Sequence, residues 1–145
     1  MREILFRGKR VDDGRWMEGF YFEELGPPVC FKEDKQEPSK HWIFFQGMSD
    51  WGLPRQMYKT QVIPKTVGQY TGLMDKNGKR IFEGDIVSYN KSAEVVIWDT
   101  SLNIPCFCLG VGRGSSTAPH PYKITKQHVV IGNIYDNPEL LEEDE

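Results

Sequence analysis

Two dipeptides, Asp13-Gly14 and Asn77-Gly78, constrain this chain more than any other feature. Each stands between residues of strand character, in "RGKRVDDGRWMEGFYFEE" (7–24) and "QYTGLMDKNGKRIFEGDIVSYN" (69–90). A tight reversal between two strands needs positive φ, which glycine adopts without steric cost, so both stretches predict β-hairpins. After each turn come a basic residue, bulky apolar residues and Glu-Gly, in "GRWMEG" and "GKRIFEG". The spacing differs by one residue, so this is no repeat, but it predicts that Gly19 and Gly84 do the same job. A glycine within a strand marks a bulge or a sharp bend, where a curled sheet changes direction.

Further strand-like runs are "PVCFK" (28–32), "HWIFFQ" (41–46), "QVIP" (61–64), "AEVVIWD" (93–99), "IPCFCL" (104–109) and "HVVIGNIY" (128–135). Strands this short, separated by turn residues, predict a mainly β chain of small, barrel-like antiparallel sheets built from hairpins. Pro64 and Pro105 belong at strand ends, because proline cannot complete a ladder. The one clear helix start is "NPELLEE" (137–143), with Asn137 as cap and Pro138 at the first helical position, enough for a short C-terminal helical turn. "EDKQEPSK" (33–40) reads as a loop, and "GVGRGSSTAPHP" (110–121) as a disordered segment or a loop that orders on binding. The organisation expected is a single domain over 1–145, divisible into packed lobes of about 1–60 and 61–137 with a seam near 47–57, and an acidic tail at 138–145.

Charge narrows the function classes. The net charge is −3, and five of the acids lie in the final "ELLEEDE", so the body is close to neutral. No basic stripe of the kind that attracts nucleic acid emerges; "RGKR" (7–10) and "DKNGKR" (75–80) read as solvated hairpin ends. No apolar run has the length of a signal peptide or the ~18 residues of a membrane span, which predicts a protein of the cytoplasm without a membrane partner. Cys30, Cys106 and Cys108 are odd in number, which fits reduced thiols better than a disulfide framework. Eight Phe, six Tyr and four Trp supply large side chains for a core or an interface.

Catalytic and ligand-binding patterns are sparse. "GVGRGSST" lacks the lysine of a P-loop, and Ser115 stands where the third glycine of a dinucleotide loop would be. Cys106 and Cys108, two apart, could surround a metal with His120 and His128, but a C-x-C pair in an apolar strand suits two small hydrophobes better than zinc. No nucleophile, base and orienting group stand in a known arrangement. Glu83 and Asp85, either side of Gly84, are the remaining acid pair. On a regular strand they would share a face, as a metal-assisted hydrolase needs. A bend at Gly84 instead lets Asp85 accept backbone N–H groups and lets Glu83 pair with a cross-strand lysine or arginine. The expectation is therefore no catalytic residue, no cofactor and no metal.

"TVGQYTGLMDKNGKRIFEGDIV" (66–87), followed by "VIGNIYDNPELL" (130–141), resembles the YopX family of phage and prophage proteins, and "REILFRGKRVDDGRWMEG" is similar to that family's opening more loosely. The resemblance implies origin in a phage or prophage, a bacterial cytoplasm and a multimer of identical chains, and it brings no catalytic residues. The positions that carry it, Gly72, Asn77, Gly78, Glu83, Gly84 and Asp85, are turn and bend residues, as are Asp13, Gly14 and Gly19 earlier. The resulting expectation is a non-enzymatic accessory protein acting by homo-oligomeric assembly or by binding an unknown phage or host protein, with "HWIFFQ" available for a subunit interface. The first alternative is a small-barrel nucleic-acid-binding module using Arg15, Trp16, Trp51 and Arg55, and the second a metal-assisted hydrolase using Glu83 and Asp85.

Overall fold

The computed structural model describes residues 3–31, 35–48, 51–90, 92–100, 105–111 and 124–142. Most of the glycine-rich stretch 110–121, with His120, lies outside them. The chain is mainly β, and it divides into two compact units: Leu5–Val67, and Gly68–Glu145 together with Met1–Ile4.

The unit Leu5–Val67 contains β1 (Phe6–Lys9), β2 (Trp16–Glu24), β3 (Lys40–Gln46) and β4 (Met57–Gln61), each antiparallel to the next. The Asp13-Gly14 hairpin forms as expected: Gly14 has φ +69°, the Arg10 N–H donates to the Arg15 carbonyl at 2.9 Å, and Lys9 faces Trp16. β2 then divides its pairing. Residues up to Gly19 pair with β1, and residues from Phe20 pair with β3. Gly19 is the pivot, and a Cβ there would collide with the backbone carbonyl of Phe44.

The curl continues until the chain after β4 reaches the end of β1. Arg10 and Val62 form a single bridge, the Ile63 N–H donates to the Lys9 carbonyl at 2.8 Å, and the Val11 N–H to the Gln61 carbonyl at 3.0 Å. Pro64 follows at once, has no N–H to extend the ladder, and opens a 3-10 turn over Pro64–Thr66. The sheets are therefore not closed into barrels, which corrects the barrel-like expectation. Inside the curl lie Ile43 and Val62, both almost wholly buried, with Gly8 packed against Val62 and the Tyr21 hydroxyl 2.6 Å from Nδ1 of His41. The described part of the run 28–32, residues 28–31, does not form the expected strand. Pro27 and Pro28 remove two consecutive donors at its start, and residues 25–31 are irregular.

The second unit begins with β5 (Gly68–Met74) and β6 (Arg80–Phe82), joined by the Asn77-Gly78 turn with Gly78 at φ +80°. β5 carries a bulge between Tyr70 and Met74 with Gly72 at φ +88° inside it. The remaining strands, β7 (Asp85–Tyr89), β8 (Ser92–Asp99), β9 (Cys106–Val111) and β10 (Val129–Asn133), form an antiparallel sheet in the order β10-β7-β8-β9. Val87, Val96, Leu109 and Val130 occupy one face and join Ile81 and Ile124 in the core, with Phe107 packed alongside. Ile86 and Cys108 are buried as well, and the cross-strand register puts them on the opposite face. Burial on both faces explains why "VVIW" (95–98) reads as an unbroken apolar run. The C-terminal turn is a 3-10 turn over Pro138–Leu141, and the Asn137 side chain makes no cap bond to its backbone. It meets the Glu139 carboxylate at 3.4 Å instead.

Candidate functional site

Glu83 and Asp85 receive different surroundings. Gly84, at φ +82°, turns the chain out of β6 and into β7, a conformation that other residues rarely adopt. Its N–H donates to the Val96 carbonyl at 2.8 Å, and its carbonyl accepts from the Ile134 N–H at 3.0 Å. The turn is thus tied to β8 on one side and to the chain after β10 on the other. Asp85 is 1% exposed, and its Oδ2 accepts the Phe82 N–H at 2.8 Å. That is the backbone-binding role expected of it. Glu83 is only half-buried, and the anticipated cross-strand cation is absent among the described residues. Gly19 has no comparable φ, so the two Glu-Gly glycines work differently: Gly84 supplies a left-handed turn, Gly19 a close approach.

A third acid, Asp75, escaped the sequence reading. It is buried at the start of the Asn77-Gly78 turn, where Oδ1 accepts the N–H groups of Asn77 and Lys79, both at 2.8 Å. Oδ2 accepts the Val130 N–H at 3.1 Å, and the Lys76 N–H donates to the His128 carbonyl at 3.0 Å. The hairpin tip is therefore fastened to β10. Burial alone would raise this carboxyl, but the N–H donors of Lys79, Val130 and Asn77, with the Lys79 charge, hold it below the usual carboxylate value.

This fastening shapes a cleft of about 570 Å³ lined by Lys76, Ser88, Tyr89, Asn90, Lys126 and Gln127, with Val129 and Ile131 as its apolar part. A second cleft of about 320 Å³ shares Tyr89 and Gln127 and contains Glu94 and His128. His128 is buried, with Nδ1 within 3.1 Å of the N–H, hydroxyl and carbonyl of Thr125.

Cys106 faces Asp99 and Cys108 faces Ile97 across the β8–β9 ladder. Burial, then the nearby Asp99 and Cys106, push the Cys108 thiol up. Among the described residues no three His, Cys, Asp or Glu side chains come together as metal ligands, and no helix is long and apolar enough to cross a membrane.

An exposed apolar face is formed on β2, β3 and β4. Opposed pairs share a face of a sheet, and the register pairs Phe20 with Phe44, Phe22 with Trp42, Glu24 with Lys40, and Phe44 with Lys59. Phe20 and Phe22 are 57% and 53% exposed, Trp42 and Phe44 half-buried. The rings of Phe22 and Phe44 meet edge to face at 6.2 Å. The Lys59 ammonium stands 4.2 Å from the Trp42 ring centre, and the Trp42 N–H donates to Glu24 at 2.7 Å. "HWIFFQ" is thereby divided: Trp42 and Phe44 face out, while Ile43 and Phe45 take the opposite side. Phe20 and Phe22 alternate with Tyr21 in the sequence, a pattern that does not by itself say which side faces solvent.

Of the four residues of the nucleic-acid alternative, Arg15 and Trp16 are engaged within their own hairpin. Arg15 is bound to Asp13 at 2.6 Å, and the Asp13 carboxyl is held low, first by the Arg15 backbone N–H and then by its side chain. The Trp16 ring lies 4.7 Å from the Arg7 guanidinium and 5.7 Å from the Lys9 ammonium. Trp51 and Arg55 are exposed on the β3–β4 connection, and no contact among the described residues links them to Arg15 or Trp16.

Comparison with known proteins agrees with the resemblance seen in the sequence. A family model described as "YopX protein" matches residues 6–142. The fold is similar to the crystal structure of protein EF1440 from Enterococcus faecalis, with a TM-score of 0.52 and 21% identity over 98% of this chain and 100% of that one. The search of curated proteins returned no match.

Proposed function

Since the chain belongs to the YopX protein family, we propose that it is a non-enzymatic accessory protein of a phage or prophage, acting in the bacterial cytoplasm by assembling with copies of itself. The observation that carries this reading is the exposed face of Phe20, Phe22, Trp42 and Phe44. Aromatic residues at the centre of a patch with charged residues around them have the composition of a protein–protein interface.

The charges favour a second copy as the occupant. Glu24 faces Lys40, and Lys59 lies over the Trp42 ring whose N–H donates to Glu24, so the face carries both signs and suits a two-fold axis that brings acid to lysine. A nucleic-acid strand favours a continuous run of cations. Light scattering on the purified chain at low micromolar concentration is the test. A stable multimer that the Phe20→Ser, Phe22→Ser double variant converts to folded monomers supports the reading. A wild-type monomer overturns it, and salt-sensitive binding of single-stranded DNA by that monomer would put the nucleic-acid alternative in its place.

A further inference from the structure

The cleft beside Tyr89 has a charge unlike that of the chain around it. The protein carries a net charge of −3, yet among the described residues the cleft is lined by two lysines and no carboxylate. Lys76 and Lys126 come from different turns, and both turns are pinned. The first is held by Asp75 and by the Lys76 N–H bond to His128; the second is held by the bonds between His128 and Thr125. Neither ammonium has an ion-pair partner among the described residues. Backbones fixed in this way lower the ordering cost of a bound anion.

The rest of the lining restricts what that anion is attached to. Tyr89 is 41% exposed and its ring, tilted against that of His128 at 5.4 Å, brings an aromatic surface to the lining, to which Val129 and Ile131 add apolar area. Ser88, Asn90 and Gln127 supply donors and acceptors for a hydrogen-bonding edge. The volume falls within the ~300–1,000 Å³ typical of small-molecule sites. Across Tyr89 and Gln127 the second cleft carries Glu94, so the preference for an anion is confined to the first. A negative group, a stacking ring and a polar edge in one small molecule describe a nucleotide.

We propose that this cleft binds a free nucleoside monophosphate, its phosphate between Lys76 and Lys126 and its base against Tyr89. Lysine ammonium groups act on phosphate as point charges, and bases of every kind stack on an aromatic face. The proposal does not depend on self-association.

Titration of the ¹⁵N-labelled chain with adenosine monophosphate, followed by amide chemical shifts, tests it. The expected result is saturable shifts centred on residues 76, 89–90 and 126–127. The Lys76→Ala, Lys126→Ala double variant should bind at least roughly tenfold more weakly, and Tyr89→Leu should lose the preference for adenosine monophosphate over inorganic phosphate. The variants' own spectra show whether they remain folded. An absence of shifts up to ~10 mM ligand, or inorganic phosphate binding as tightly as the nucleotide, overturns the proposal. So does a thymidylate octamer that binds the same residues more than roughly tenfold tighter, which would make the cleft part of a single-strand path.

Discussion

Asp75 and Asp85 are buried carboxylates with the same occupation, which is to satisfy backbone N–H groups where the chain turns. Asp75 accepts three such groups, so Asp75→Asn is expected to cost about 1.5–3 kcal/mol at neutral pH, measured by urea unfolding. Because its folded-state carboxyl is held below the unfolded value near 3.8, its contribution is fully present above about pH 4 and fades as the pH falls further. The wild type and Asp75→Asn should therefore converge in stability as acid is added; a gap independent of pH would contradict this account. At Gly84 a side chain would be strained by φ +82° and would stand 3.2 Å from the Tyr135 ring, so Gly84→Ala should destabilise by about 1 kcal/mol or more. The two acids were unequally legible in the sequence. Asp85 follows a glycine after a recognisable turn, and its partner Phe82 is three residues away. Asp75 looks like any acid before Lys-Asn-Gly, and its decisive partner, Val130, is 55 residues distant. Local pattern cannot encode that bond.

At the scale of strands, turn chemistry was the most readable layer. Asp13-Gly14 and Asn77-Gly78 form hairpins because positive φ is a local demand met by a local residue. Strand limits were less readable: β4 occupies Met57–Gln61 rather than 61–64, because its pairing with "HWIFFQ" overrides the weak intrinsic preference of "MYKTQ". The functional candidates were partly hidden for the same reason. Whether Phe20 and Phe22 face a core or a solvent depends on which sheet face the curl encloses, and alternation alone is silent on that. Because Phe20 and Phe22 are more than half exposed, replacing both with serine should change the melting temperature of the monomer by only a few degrees, on the order of the ±0.5 kcal/mol typical of surface sites. A large loss measured by circular dichroism would mean that the face is structural. The thiols offer a second check on register: Cys30 is exposed and Cys108 buried, so Cys30 should react with a thiol reagent well before Cys108 in the native protein.

For the molecule as a whole, assembly through the aromatic face predicts a melting temperature that rises with protein concentration, since a partner that binds only the folded state stabilises it by mass action. The Phe20→Ser, Phe22→Ser variant should lose that dependence; a wild-type midpoint unchanged over a hundredfold dilution would argue against self-association. The sheet order β10-β7-β8-β9 also bears on how the chain is made. β1 to β4 each pair with a neighbour in sequence, whereas β7 must wait for β10, which leaves the ribosome after β8 and β9. Until then one side of β7 is a row of unanswered amides and carbonyls, open to any nascent chain nearby. Interrupted translation therefore leaves that edge open, and a chain stopped at Gln127 should collect in the insoluble fraction of an expressing cell.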